Sequence, residues 1–194
     1  MAQYSKETTA FLDDLLAWDF LVLDTETTGL KDWDEICQIG IIDCAGTVRL
    51  DQLVQPQRKI AKEATKIHGI SDEMVAEAPS WKQVRERVIN IISGQHIIVY
   101  NAIYDRRMMH QSDRAQSLSE IEYKHLAKFS CAMIPFAEIY GEWNDYRGNY
   151  RWQTLTTALG YYGLTKPLDA HTALTDCRST LAVLGEMRKR HANE

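Results

Sequence analysis

Phe20-Leu21-Val22-Leu23-Asp24-Thr25-Glu26-Thr27-Thr28-Gly29-Leu30 is the stretch on which the reading of this chain turns. The apolar run over 20–23 is too short for a helix and suits a buried strand. It ends in two carboxylates separated by one residue. Side chains alternate between the faces of a strand, so Asp24 and Glu26 point to one side and can share a cation. Thr27-Thr28-Gly29 then turns the chain, with Gly29 permitting a tight backbone path. An Asp-x-Glu pair alone is common and usually solvated. The apolar strand before it, and what recurs further along, give this one weight.

A second apolar run, Ile97-Ile98-Val99-Tyr100, leads into Asn101-Ala102-Ile103-Tyr104-Asp105. The pattern predicts a helix starting near residue 103, with Asp105 in its first turn and Asn101 able to cap the intervening turn. A carboxylate in that position is also explained by the helix dipole alone. Arg106 and Arg107 follow, either to contact phosphate or to lie on a solvated face. His171-Thr172-Ala173-Leu174-Thr175-Asp176 opens the last amphipathic stretch. On a continuous helix His171 and Asp176 would stand about 140° apart. They converge more easily if His171 lies in the preceding loop and Thr172 caps the helix. A loop histidine near an acidic site can act as a general base near neutral pH; the plainer alternative is an incidental surface residue. Four carboxylates and one imidazole, spread over the whole sequence, can meet only in a folded site. That much buried negative charge is costly unless cations neutralise it.

Around these segments the sequence predicts a helix over 6–17 with Ser5 as N-cap, a strand over 20–24, and a hairpin of strands 36–44 and 48–54 turning at Ala45-Gly46-Thr47. A short helix over 71–78, a helix over 81–92 closed by Gly94, and a buried parallel strand over 97–100 follow. Residues 111–120 read as a polar stretch and 131–140 as a helix with Pro135 in its first turn or at a bend. A polar and aromatic loop over 141–151 precedes helices over 155–163 and 172–190. Strands come first as a meander and then alternate with helices, which places the chain in the α/β class with a mixed sheet.

The 194 residues suit one domain over 1–194, with a core over about 20–187 and an N-terminal helix over about 6–17. With 45% hydrophobic and 25% charged residues, the composition is that of a soluble globular protein. No apolar run nears the roughly 20 residues needed to cross a bilayer, and the N-terminus lacks a signal pattern, so the expected address is cytoplasmic, without membrane contact. The four cysteines, Cys37, Cys44, Cys131 and Cys177, form no Cys-x-x-Cys pair, and Cys37 and Cys177 fall in apolar segments as small core residues. The net charge of −5 argues against a broad, non-specific nucleic-acid binder but not against an enzyme that grips a short strand locally.

Taken together, the segment over 22–30, Gln38-Ile39-Gly40, Ile67-His68-Gly69-Ile70-Ser71, Asn101-x-x-Tyr104-Asp105 and His171-x-Ala173-x-x-Asp176 resemble the DEDDh group of DnaQ-like 3′–5′ exonucleases. The resemblance spans roughly residues 20–187. It implies a ribonuclease-H-like, mixed five-stranded sheet flanked by helices, and hydrolysis of single-stranded nucleic acid or frayed 3′ ends to nucleoside 5′-monophosphates. It further implies that Asp24, Glu26, Asp105 and Asp176 hold two divalent ions, Mg²⁺ or Mn²⁺, and that His171 deprotonates the attacking water. By the same resemblance, backbone groups around Thr27 and Thr28 approach the terminal sugar, Leu30 and Tyr104 wedge or stack against the last bases, and His68 lies near the terminal nucleotide. Each has a plainer alternative: Leu30 as core, Tyr104 as a helix-face aromatic, His68 as part of a turn.

Where many relatives carry Asp-Thr, this chain reads Ser130-Cys131, a departure outside the metal ligands. Residues 142–152 interleave aromatics with Arg147 and Arg151, which suits either base stacking or a satellite cluster that pins a long loop. Nothing outside the catalytic segment resembles a polymerase tether, which favours a free-standing exonuclease over a proofreading subunit. The alternatives are a trimming exoribonuclease and a non-catalytic binding module; the module would be expected to have lost a metal carboxylate, and none is lost.

Overall fold

The computed structural model describes residues 4–165 and 171–193. Helix α1 (Lys6–Ala17) starts where expected: the Ser5 hydroxyl accepts from the Thr8 amide, and Phe11, Leu12 and Leu15 are buried. Strand β1 (Leu21–Thr27) runs three residues past the predicted end. Its antiparallel pairing with β2 (Ile36–Asp43) continues through Glu26↔Gln38 and Thr27↔Ile36, so the polar end of the run is held by backbone ladder rather than by hydrophobicity. β2 returns into β3 (Val48–Leu53) through a turn in which the Asp43 carboxylate accepts from the Ala45 and Thr47 amides.

Helix α2 (Lys62–His68) is absent from the sequence expectation. Its N-cap is Ala61, with no side-chain capping bond among the described residues, so the usual start signal is missing. The short α3 (Asp72–Val75) fills the middle of the predicted 71–78 segment. Helix α4 (Trp81–Ile92), opened by a Ser80–Gln83 capping box, and β4 (His96–Val99) follow. Helix α5 (Ala102–Ala115) extends into the predicted polar stretch. Gln111, Ser112 and Asp113 are buried there and work as fasteners. Asp113 accepts from Trp81 Nε1 at 2.7 Å and the Tyr123 hydroxyl at 2.9 Å and pairs with Arg85 at 3.0 Å. Gln111 Nε2 donates to the carbonyls of Lys31 and Asp34. These bonds fix α5 against its neighbours and so fix what its first turn carries.

A one-turn α6 (Tyr123–Leu126) leads to β5 (Lys128–Cys131), a strand the sequence reading leaves unassigned, with only its last residue, Cys131, placed in the following helix. Helix α7 (Met133–Tyr140) takes Pro135 within its first turn, where the missing amide costs nothing. The 141–151 loop contains a hairpin, β6 (Trp143–Asn144) and β7 (Asn149–Tyr150), and helices α8 (Leu155–Tyr161) and α9 (Ala173–His191) finish the chain.

The main sheet has the order β3-β2-β1-β4-β5. β1–β2 and β2–β3 are antiparallel, whereas β1–β4 and β4–β5 are parallel, giving a mixed five-stranded sheet. Alternation along β1 splits the core. Leu21 and Leu23 pack with α4 and α5, and Val22 packs with α1, α7 and α9. Among the described residues no helix is long and apolar enough to cross a membrane.

Candidate active site

The central strand ends in the predicted pair. Asp24 and Glu26 are half-buried on the face that carries Val22, while Thr25 and Thr27 are buried on the other. Asp176 joins them from α9: one oxygen each of Asp24, Glu26 and Asp176 lie within 4.8 Å of one another. What brings α9 so close is Gly40, which stands opposite Asp24 in the β1–β2 register. A Cβ at Gly40 would sit 2.9 Å from the Ala173 carbonyl carbon and the Leu174 amide nitrogen, so only glycine lets the first turn of α9 lie on the sheet. Gln38 Oε1 accepts from the Ala173 amide, and the Cys177 thiol donates to the Gly40 carbonyl at 3.4 Å.

Asp105 reaches the same end of the sheet from the α5 side. It is not part of the three-carboxylate cluster; its Oδ1 accepts from the Thr25 amide at 3.0 Å and the Thr25 hydroxyl at 2.7 Å. Asn101 occupies the N-cap position of α5, but the expected side-chain cap is replaced by its backbone carbonyl, which accepts from the Tyr104 and Asp105 amides.

Crowded carboxylates resist ionisation. Burial, then the charges of Asp105, Asp176 and Glu26, hold the Asp24 carboxyl well above the usual range. Burial raises Asp105 to about 7 against the opposing pull of the Thr25 hydrogen bonds. The Cys177 thiol beneath them is pushed up by burial and by the same acids, so it stays a neutral core group as the sequence suggested. The donors on offer are therefore hard carboxylate oxygens with no thiolate, a set suited to a divalent cation of the Mg²⁺ or Mn²⁺ type.

His171 lies just outside α9 with a left-handed backbone (φ 77°), and the Thr172 hydroxyl caps the helix by accepting from the Thr175 amide, so His171 is in the preceding loop and Asp176 in the first turn of α9, as the sequence suggested. His68, at the end of α2, is buried with both ring nitrogens engaged: Nδ1 accepts from the Ile70 amide, and Nε2 lies 3.2 Å from the Thr27 carbonyl. That pairing fits the neutral imidazole with its proton on Nε2. Burial chiefly, and the nearby His171, lower its pKa.

A groove of about 600 Å³ opens beside Glu26. The residues predicted to meet the substrate fall along it unevenly. Leu30 is 76% exposed at its rim. The Tyr104 hydroxyl is 2.8 Å from Thr27 Oγ1 and donates to the Gly29 carbonyl, which ties α5 to the turn after β1. Thr28 is the exception. It is fully buried, its hydroxyl donates to Asp34 and accepts from the Glu35 amide, and its amide and carbonyl are bonded to Glu35 and Ala61. Those groups are spent within the protein, so Thr28 shapes the groove rather than lining it. Arg107 stacks 5.3 Å over the Tyr104 ring, whereas Arg106 turns to Phe129. Ser130 and Cys131 bond to His96 and the Tyr100 carbonyl.

Sequence reasoning missed Trp33, Lys31, Lys59 and Ile67, all of which line the groove. Lys31 lies over the Trp33 ring at 5.3 Å. Their signal was present but faint: an exposed-type Trp two residues beyond Lys31 in a turn, and an Ile in a helix that carries no cap motif.

A mixed sheet with acids gathered at the end of its central strand and brought together by flanking helices defines a ribonuclease-H-like nuclease. The chain belongs to the DnaQ-like exonucleases: the family model RNase_T, described as "Exonuclease", matches residues 21–184. It is 38% identical over 190 residues to "Uncharacterized exonuclease CP81" of Escherichia phage 186, covering 97% of this chain and 95% of the relative. It is 28% identical over 179 residues to the DNA polymerase III subunit epsilon of Treponema pallidum, covering 90% and 79% of the two chains. Among solved structures, Exonuclease X in complex with 5′ overhanging duplex DNA shares the fold with a TM-score of 0.65 at 24% identity, over 89% of this chain and 93% of that one.

Proposed function

We propose that this exonuclease hydrolyses single-stranded nucleic acid, with DNA favoured, from the 3′ end and releases nucleoside 5′-monophosphates. The observation that carries the reading is the convergence of Asp24, Glu26 and Asp176 within 4.8 Å at the head of a groove, with Asp105 clamped alongside. Asp24, Glu26 and Asp176 would share one divalent ion, and Asp105 would complete the set for a second. When bound, Mg²⁺ or Mn²⁺ relieves the mutual repulsion of the acids and stabilises charge on the attacking and leaving oxygens.

The protein's own groups do the rest. The Thr25 clamp keeps the Asp105 carboxylate aimed and favours its ionised form. His171, on a loop rather than inside a helix, takes the proton of the attacking water at a ring nitrogen. Leu30 and Trp33 present apolar surface to terminal bases, and Tyr104 bridges Thr27 and Gly29 so that the groove wall holds its shape. His68 positions the Thr27 carbonyl from behind rather than acting as an acid or base. The match to an epsilon subunit and the DNA bound in the Exonuclease X structure support DNA as the substrate and make a polymerase a candidate partner.

The test compares oligonucleotides blocked at the 3′ or the 5′ end and identifies the released mononucleotide by chromatography. The proposal expects 5′-monophosphates from the 5′-blocked strand and none from the 3′-blocked strand. The reverse pattern, or 3′-monophosphates, would overturn it.

A further inference from the structure

The aromatic segment over 142–152 takes no part in the groove, yet its base is fastened at the catalytic end of the sheet. β4 runs parallel to β1, so its C-terminal end lies on the same edge as Asp24 and Glu26. There the hydroxyl of Tyr100, five residues before Asp105, donates to the Gln153 carbonyl at 2.9 Å. The hairpin itself is well braced. The Arg151 amide donates to the Glu142 carbonyl at 2.8 Å, the Arg151 guanidinium pairs with the Glu142 carboxylate at 3.2 Å, and Trp143 meets Tyr150 edge to face at 5.0 Å. Asn144 Oδ1 accepts from the amides of Tyr146 and Arg147, and Gly148 closes the turn at φ 63°.

A cluster that only pinned a loop would bury its rings. Only Tyr150 does so in part: Trp143 is 50% exposed, Trp152 is 56% exposed, and Tyr146 at the tip is 96% exposed. Arg147 makes no ion pair among the described residues. It lines, with Asn149, Arg151 and Trp152, a cleft of about 230 Å³. Flat apolar faces beside a guanidinium are what a single strand needs, because every base has a π-face and every linkage a negative phosphate. In a chain of net charge −5, such a grip must be local.

We propose that this hairpin is a second nucleic-acid site, which holds the single strand on the 5′ side of the nucleotides in the groove. Bases stack on Tyr146 and Trp152, and a phosphate rests against Arg147. The braced hairpin is already ordered, so little conformational freedom is lost on binding. The proposal rests on the exonuclease reading for where the strand comes from, but the binding itself can be measured without cleavage.

The test uses the combined Tyr146→Ala and Trp152→Ala variant, whose side chains are exposed enough to leave the fold intact, checked by an unchanged melting temperature. Kinetics are measured on a dinucleotide and on a long oligothymidylate, and anisotropy of the labelled long strand is measured in EDTA. We expect KM and Kd for the long strand to rise about tenfold, with kcat and the dinucleotide KM unchanged. Unchanged values on the long strand, as a protein-binding hairpin would give, or an equal rise on both lengths, would overturn the proposal. If the wild type cleaves neither substrate, the exonuclease reading fails by itself, and the anisotropy comparison still decides the hairpin: weaker binding by the variant supports it and equal binding refutes it.

Discussion

Thr25 grips a single oxygen of Asp105 with two donors, its amide at 3.0 Å and its hydroxyl at 2.7 Å. The two residues are 80 positions apart, and the bond crosses from the central strand to the first turn of α5. Thr25 and Asp24 are adjacent, so one short segment of strand both carries one acid of the site and aims another.

Thr25→Val keeps the shape and the amide bond but deletes the hydroxyl donor. The lost hydrogen bond favours ionised Asp105, so its removal lifts the carboxyl further. We expect the acid limb of the pH–rate profile to move to higher pH, kcat/KM below neutrality to fall about tenfold, and stability to drop by about 1–2 kcal/mol. A profile superimposable on the wild type would show that the clamp has no bearing on catalysis.

The acids also set a pH dependence of stability. Burial pushes the Asp105 carboxyl up to about 7 in the fold, against an ordinary value of 3.8, and Asp24 is likewise raised. A folded value above the unfolded one means that the protonated carboxyl stabilises the fold. That contribution is complete below about pH 4 and is lost as pH rises through about 7, a change on the order of a few kcal/mol. The metal-free protein should therefore melt at lower temperature as pH rises across this window. Mn²⁺ should abolish the fall, and Asp24→Asn should reduce it in EDTA. Thermal melts in EDTA and in Mn²⁺ measure this, and an EDTA curve flat across the window would contradict the electrostatic picture.

Gly40→Ala probes how α9 is seated. The new methyl meets backbone at 2.9 Å on Ala173 and Leu174, which no side-chain rotation can relieve. The first turn of α9 must lift, and Asp176 with it. Activity should fall more than tenfold while stability drops by about 1–3 kcal/mol, read by kinetics beside a denaturant melt. Wild-type kcat/KM in a folded variant would mean that the acids tolerate a looser arrangement.

Much of this was legible in the sequence because it rests on local signals. The apolar run before Asp24, the cap chemistry of Ser5 and Thr172, and the 3.6-residue pattern of α4 each predict the element that forms. The misses share a different cause. Helix α2 begins at Ala61 with no side-chain capping bond, and it owes its place to the Ala61 amide bonded to Thr28 and to His68 against Thr27. Strand β5 is four residues long, and its parallel partner is 32 residues away, as in His96↔Lys128. The polar end of α5 read as loop because burial of Gln111, Ser112 and Asp113 is paid for by partners distant in sequence. At the site, the identities of the acids were readable from motif and order. That Asp105 is clamped by Thr25, and that Thr28 is sealed away, depends on tertiary hydrogen bonds that no spacing encodes.

The most direct test of the account is digestion of a 5′-labelled single strand by wild type and Asp24→Ala, each with Mg²⁺ or Mn²⁺ and each with EDTA, on DNA and on RNA of one sequence. The account predicts a ladder shortening from the 3′ end only for wild type with metal, stronger on DNA. A ladder that persists in Asp24→Ala or in EDTA, or a wild type that leaves both strands intact with metal present, would contradict it.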